Sequence, residues 1–276
     1  MPTRLTRAAT GTAAAPLPNP FPSLSKSRYG VEFRAGQLAM LAGPPGAGKS
    51  MLAIVAALRW AKAGIPGLYF SADSDEDTMA ARAAAHVTGH PTRDVEIILA
   101  NGLFRDEYGA RLRDLPLRFE YDTEPSIEDI GNACTAFLEV WGRYPGFVVV
   151  DNLMNVAGES DIEVQTQRKA MRDFHYLARK LKALTLVLHH TSEQNADHII
   201  TAPPRTAIHN KVTQLPSLVL TNANANGEMF VAVVKNRHGE ADPLAKTPLS
   251  WLVDFSKVQI EDLTLGGQVF YGSRYS

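Results

Sequence analysis

Eight residues constrain this chain more than any others: Gly43-Pro-Pro-Gly-Ala-Gly-Lys-Ser50. They match the spacing G-x-x-x-x-G-K-[S/T]. The apolar run Leu38 to Ala42 precedes them, and Met51 to Ala63 follows with a helical pattern that Gly64 and Pro66 close. Strand, glycine loop and helix form the context in which this spacing does chemistry. Glycines let backbone N–H groups curl around a phosphate, and the helix N-terminus adds partial positive charge. The nucleotide-binding residues are therefore Gly43, Gly46, Ala47, Gly48, Lys49 and Ser50. Lys49 would reach the β- and γ-phosphates of a nucleotide, and the Ser50 hydroxyl would ligate Mg2+.

A phosphate loop of this kind needs a second carboxylate for the metal, at the end of another buried strand. Phe147-Val-Val-Val-Asp151 has that form, which assigns Asp151 to the Mg2+. Tyr69-Phe-Ser-Ala-Asp73 also ends in an aspartate. Helical patterns are expected over 76–89, with Ser74 and Asp77 placed for a capping box, over 126–141 and over 161–182. Further strands are expected at 117–121 and 184–188, and then at 217–221, 229–235 and 249–254 without intervening helices. The predicted class is α/β: a mostly parallel central sheet, then a C-terminal antiparallel extension.

Charge and cysteine content narrow the partners. With 28 basic and 29 acidic residues the net charge is −1, so any nucleic-acid contact must be local. Cys134 is the single cysteine, which excludes an intrachain disulfide and a cysteine-rich zinc site. It falls in the row Ile127, Ile130, Cys134, Phe137, Leu138 and Trp141, the expected buried face of a helix. No run approaches the roughly 18 apolar residues of a membrane span. Residues 1–28 carry no acid and alternate prolines from Pro16 to Pro22, so they read as a flexible, basic, Pro/Ala-rich arm before one domain over 29–276. Adjacent His189 and His190 point to opposite faces of a strand and do not share an ion.

The order of these parts resembles the RecA-like ATPase domain of the DnaB family of hexameric replicative helicases and the related RepA-like ATPases, in a form carried by phages and lacking the N-terminal dimerising domain. The resemblance covers about residues 28–262. It implies that Asp73 stands at the catalytic carboxylate, where the family has the longer glutamate. It places His190, in Leu186-Val-Leu-His-His190-Thr-Ser-Glu193, at the γ-phosphate sensor that is usually glutamine. It also implies that Lys235 and Arg237, in Lys235-Asn-Arg237-His-Gly239, reach into a neighbour's ATP site. The long polar segment 192–213 would line a pore, with Arg205 and Lys211 on the phosphates of single-stranded DNA. The implied function is an ATP- and Mg2+-dependent, ring-forming motor, a homohexamer that unwinds DNA in the cytoplasm of a bacterial host, with no membrane partner. The alternative is a non-helicase RecA-like DNA-dependent ATPase, such as a recombination mediator or regulatory oligomer.

Overall fold

The computed structural model describes residues 16–158, 162–192 and 201–262. Alternation within the strands decides how the sequence divides its apolar residues. In β1 (Leu38–Gly43), Leu38, Met40 and Ala42 face one core while Ala39 and Leu41 face another. The same period of two separates Val148 and Val150 from Phe147 and Val149 in β4 (Phe147–Asp151). Strands buried on both faces need a helical layer on each side, which is the doubly covered parallel arrangement.

The remaining strands are β2 (Gly67–Ser71), β3 (Leu117–Glu120), β5 (Leu184–His190), β6 (Leu218–Ala225), β7 (Glu228–Asn236), β8 (Leu249–Asp254) and β9 (Gln259–Asp262). They form one nine-stranded sheet in the order β3-β2-β4-β5-β1-β6-β7-β8-β9. Pairing is parallel from β3 to β6 and antiparallel from β6 to β9, as expected from the pattern. The helices are α1 (Pro22–Lys26), α2 (Lys49–Lys62), α3 (Glu76–Thr88), α4 (Thr92–Ala100), α5 (Phe104–Leu112), α6 (Ile127–Trp141) and α7 (Glu163–Leu181).

Several expectations need correction. Residues 16–28 are not a free arm. Phe21 and Leu24 are buried, Phe21 stacks on Trp251 at 4.5 Å, and the Trp60 indole N–H donates to Pro18 O at 2.8 Å. The prolines satisfy an extended segment that lacks spare N–H donors, and the aromatic between them supplies the burial. Residues 1–15 of that arm lie outside the described residues. The cap of α3 is Asp75, which accepts from Thr78 N at 2.8 Å, in place of Ser74 and Asp77. A full capping box occurs instead at Ser126 and Asp129 on α6. Trp141, at the end of α6, is exposed although Ile130, Cys134 and Phe137 of the same row are buried. Burial pushes the Cys134 thiol up to about 12 and leaves it inert. Helices α4 and α5 and strand β9 were not anticipated: β9 offers a single apolar residue, Ile260, and α5 mixes its apolar residues with charges, whereas α4 was missed although it carries Val95, Ile97, Ile98 and Leu99.

Candidate functional site

The glycine loop lies at the carboxyl end of β1, where parallel strands open toward ligands. Gly46 and Gly48 adopt φ of +73° and +83°, which L side chains rarely take. Gly43 needs the absence of a side chain for another reason: a Cβ there would stand 2.5 Å from Asn222 O. Strand β6 braces the loop from beside it. Asn222 Nδ2 donates to Ala47 O at 2.7 Å and Asn224 Nδ2 to Gly46 O at 2.8 Å. Sequence reading missed both residues, although two amides at i and i+2 in an apolar strand were a usable signal.

Lys49, the first residue of α2, is 7% exposed. Its ammonium donates to Gly43 O at 3.1 Å and Pro44 O at 2.9 Å, and lies 3.4 Å from His190 Nδ1. Register explains the last contact: β1 pairs with β5 so that Gly43 stands opposite His190. His189, one residue earlier, faces away and is wholly buried, and desolvation pushes it down to about 4, so it is neutral. Burial also lowers Lys49 to about 8, against the opposing pull of Asp151 and Asp73.

The two carboxylates enter through the pairing of β2 with β4, where Ser71 stands opposite Asp151. Asp151 is 5% exposed, and burial raises its carboxyl against the opposing hydrogen bonds from Ser50 and Tyr69. The Tyr69 hydroxyl donates to Asp151 Oδ2 at 2.8 Å. Asp73 lies two residues beyond the end of β2 and is exposed. It accepts from Asn152 Nδ2 at 2.8 Å and from Asn155 Nδ2 at 3.2 Å, one amide on each oxygen. These asparagines follow the strand that carries Asp151 and fix the direction of the shorter aspartate side chain. They were not foreseen in the sequence.

Lys49, Ser50, Asp73, Asp151 and His190 thus meet at one edge of the sheet. The chemistry of the oxygen donors fits Mg2+: the Ser50 hydroxyl and the adjacent buried Asp151 carboxylate offer two hard ligands, and phosphates complete such a shell. Among the described residues, no group of three or more His, Cys, Asp or Glu side chains is placed to hold a metal ion. Beside the loop opens a cavity of about 430 Å3, lined in part by Thr78, Arg82, Phe255 and Val258. It has the size of a nucleoside site.

Lys235 and Arg237 lie elsewhere. Asn236 pairs with Leu218, and Leu218 with Ala39, so this end of β7 stands at the amino edge of the parallel strands. It is about 13 Å back along the strand direction from Gly43, at about 3.3 Å per residue. Lys235 Nζ donates to Thr213 O at 2.6 Å and Gln214 O at 2.8 Å, and Arg237 Nη2 donates to Gln214 O at 3.1 Å. The two cations share a side as the alternation implies, but main-chain carbonyls hold them. Burial, with Arg237 and Arg205 adding to it, lowers Lys235 to about 8.

The segment carrying Arg205 and Lys211 is not a bare polar loop over its described part, 201–213. Ala202, Ile208 and Val212 are buried, Thr191 bridges to Ile208, and the Thr221 hydroxyl donates to Pro203 O at 2.6 Å. The backbone is satisfied by 3-10 turns and these contacts, so polarity was a poor guide to its order. Arg205 and Lys211 themselves are exposed, and Lys211 shares a small cleft with Arg168 and Arg172 of α7. Residues 193–200 of the same segment lie outside the described residues. No helix among the described residues is long and apolar enough to cross a membrane.

A family profile described as an AAA domain matches residues 4–196, ending before β6. The gene 65 protein of Mycobacterium phage L5 is 30% identical over 243 residues, which is 84% of this chain and 88% of its own. The gene 65 protein of phage D29 is 31% identical over 207 residues, 72% of this chain and 88% of its own. Among solved structures, a DnaB-like replicative helicase studied with its primase interactions superposes with a TM-score of 0.76 at 14% identity over 92% of this chain. The chain spans 63% of that helicase's length. A second solved structure, an ATPase domain, gives 0.75 at 14% identity, covering 94% of each chain. A KaiC-like protein, PH0186 from Pyrococcus horikoshii OT3, gives 0.60 at 11% identity over 90% of this chain and 98% of its own. The fold is RecA-like: a mostly parallel sheet with antiparallel C-terminal strands.

Proposed function

Because this chain belongs to the AAA domain family and is an ATP hydrolase with a RecA-like fold, we propose that it is a ring-forming, ATP-driven motor that binds single-stranded DNA and unwinds duplex DNA. One observation carries the reading. The phosphate loop and the two cations Lys235 and Arg237 occupy opposite edges of one sheet. Those cations stand away from the glycine loop of their own chain, which supports a reading in which a neighbouring copy supplies them to the nucleotide. A ring or another head-to-tail assembly is the arrangement that makes such contacts repeatedly, and a hexamer is the state proposed here.

In this reading the loop amides and Lys49 bind the β- and γ-phosphates. Lys49 releases its hold on Gly43 O and Pro44 O in favour of phosphate oxygens. Ser50 and Asp151 would hold Mg2+, which when bound would neutralise charge on the phosphates. Asp73, oriented by Asn152 and Asn155, accepts a proton from the attacking water. His190, against Lys49, donates to a γ-phosphate oxygen and reports its loss to β5. Lys235 and Arg237 of the neighbour add positive charge as the bond breaks. Arg205 and Lys211 hold DNA phosphates, giving binding that is tolerant of sequence and sensitive to salt.

The test is twofold. Single-stranded DNA should stimulate phosphate release, and a forked duplex should be separated with ATP. Stimulated hydrolysis without strand separation would favour the alternative, a RecA-like DNA-dependent ATPase that is not a helicase. Arg205→Ala with Lys211→Ala should lower the salt slope of oligonucleotide binding by about 0.7 for each lost phosphate contact. An unchanged slope across a salt series would remove DNA from this segment.

A further inference from the structure

A second cavity, of about 380 Å3, opens at the amino edge of the sheet, away from the glycine loop. Four separate segments wall it: the turn before β1, the last turns of α7, the chain just before β6 and the chain just after β7. They contribute Arg34, His175, Arg179, Ser217, Arg237 and His238, and among the described residues no acidic side chain lines it. Arg179 and Arg237, both exposed, act together on His175 from different elements. Gly36, at φ +78°, turns the chain so that its N–H donates to Ala183 O at 3.1 Å, directly after α7.

Polar atoms bordering this cavity lack a protein partner. Arg34 pairs with Glu32, yet its Nε is buried without a hydrogen-bond partner. His175 Nδ1 is likewise buried and unpartnered. Arg237 gives one N–H to Gln214 O and retains the rest of its fork. Among the described residues, Arg179 and Arg237 pair with no carboxylate. Desolvation, with Arg179 and Arg237 adding to it, holds His175 below its ordinary value.

We propose that this pocket is a second phosphate site, which binds a di- or triphosphate group through Arg34, His175, Arg179 and Arg237. Planar guanidinium forks suit phosphate oxygens in pairs, and several converging on one anion hold adjacent phosphoryl groups. The volume is that of a small-molecule site. The same chemistry has two sources: a free polyphosphate or nucleotide, or the triphosphate of an ATP held by a second copy of this chain. The second source rests on the proposed assembly, whereas anion capture itself does not.

The experiment uses the full-length Lys49→Ala protein, so that the glycine loop contributes little, and titrates it with inorganic pyrophosphate by calorimetry. Adding Arg179→Gln and His175→Gln should weaken binding at least tenfold, while Arg168→Ala, on the same helix but outside the cavity, should leave it unchanged. Equal affinity in the double variant, or an equal loss with Arg168→Ala, would overturn the proposal. A measurement independent of those substitutions is protection of Arg179 from phenylglyoxal, read by peptide mass. Pyrophosphate should protect it, and no protection would also overturn the site. An oligonucleotide that displaces pyrophosphate would overturn it in favour of nucleic acid.

A further arm distinguishes the sources, using association driven by a non-hydrolysable ATP analogue in otherwise wild-type protein. If Arg179→Gln abolishes association, the neighbour's nucleotide is the occupant. If association persists while pyrophosphate binding is lost, the occupant is a free anion. Failure of DNA unwinding with pyrophosphate binding intact would remove the motor and leave the pocket.

Discussion

Lys49 shows how one residue carries both charge and a condition on pH. Burial lowers it to about 8, so above that pH the protein without nucleotide has lost much of the proton that phosphates require. Phosphate binding restores the charge by taking up a proton. Affinity for an ATP analogue should therefore hold below pH 8 and fall above it, by up to about tenfold per pH unit. Calorimetry between pH 7 and 9.5 in buffers of different ionisation enthalpy measures the affinity and the proton uptake together. Flat affinity with no uptake would contradict the shift. Asp73 carries the complementary condition of direction. Asp73→Asn should stop hydrolysis and keep ATP binding. Asn152→Ala should lower kcat by about 10- to 100-fold with little change in KM, because its amide donates to the Asp73 carboxylate and sets its direction. A loss confined to KM would place Asn152 in binding instead.

At the scale of elements, the N-terminal segment is part of the domain. Phe21 is 3% exposed, stacks on Trp251 of β8 and lies under the Arg59 guanidinium of α2. Ser23 N donates to Asp262 Oδ2 at 2.6 Å, and the Trp251 indole donates to Ser23 Oγ at 2.9 Å. This short stretch therefore ties α2, which begins at the phosphate loop, to β8 and β9 at the far edge of the sheet. Phe21→Ala should cost about 3–5 kcal/mol of stability, measured by urea unfolding. A cost under about 1 kcal/mol would mean that the segment merely rests on the surface.

For the whole molecule, the separation of Lys49 from Arg237 across the sheet makes assembly testable without imaging. Lys49→Ala and Arg237→Ala should each be inactive alone. Mixed and co-assembled, they should regain part of the turnover, because some interfaces then join an intact phosphate loop to an intact Arg237. Specific activity of the unaltered protein should also rise with concentration. A mixture that co-assembles and stays inert would exclude the simple trans arrangement.

Local structure was legible from the chain alone. The glycine loop, the strand ending at Asp151, the α/β order and the antiparallel extension are short-range patterns, each set by neighbours a few residues apart. Even the opposed faces of His189 and His190 follow from a period of two. What the sequence could not hold was the outcome of packing between distant segments. Register places His190 beside Gly43 and Asp151 beside Ser71, across separations that no spacing rule spans. Asn222, Asn224, Asn152 and Asn155 look like ordinary polar residues until the sheet brings them to the loop and to Asp73. Prolines and polar residues marked 16–28 and 201–213 as loose, yet a few apolar side chains with satisfied backbone groups bury there. Burial of such segments depends on a complementary surface elsewhere in the chain, and only the tertiary structure supplies that surface.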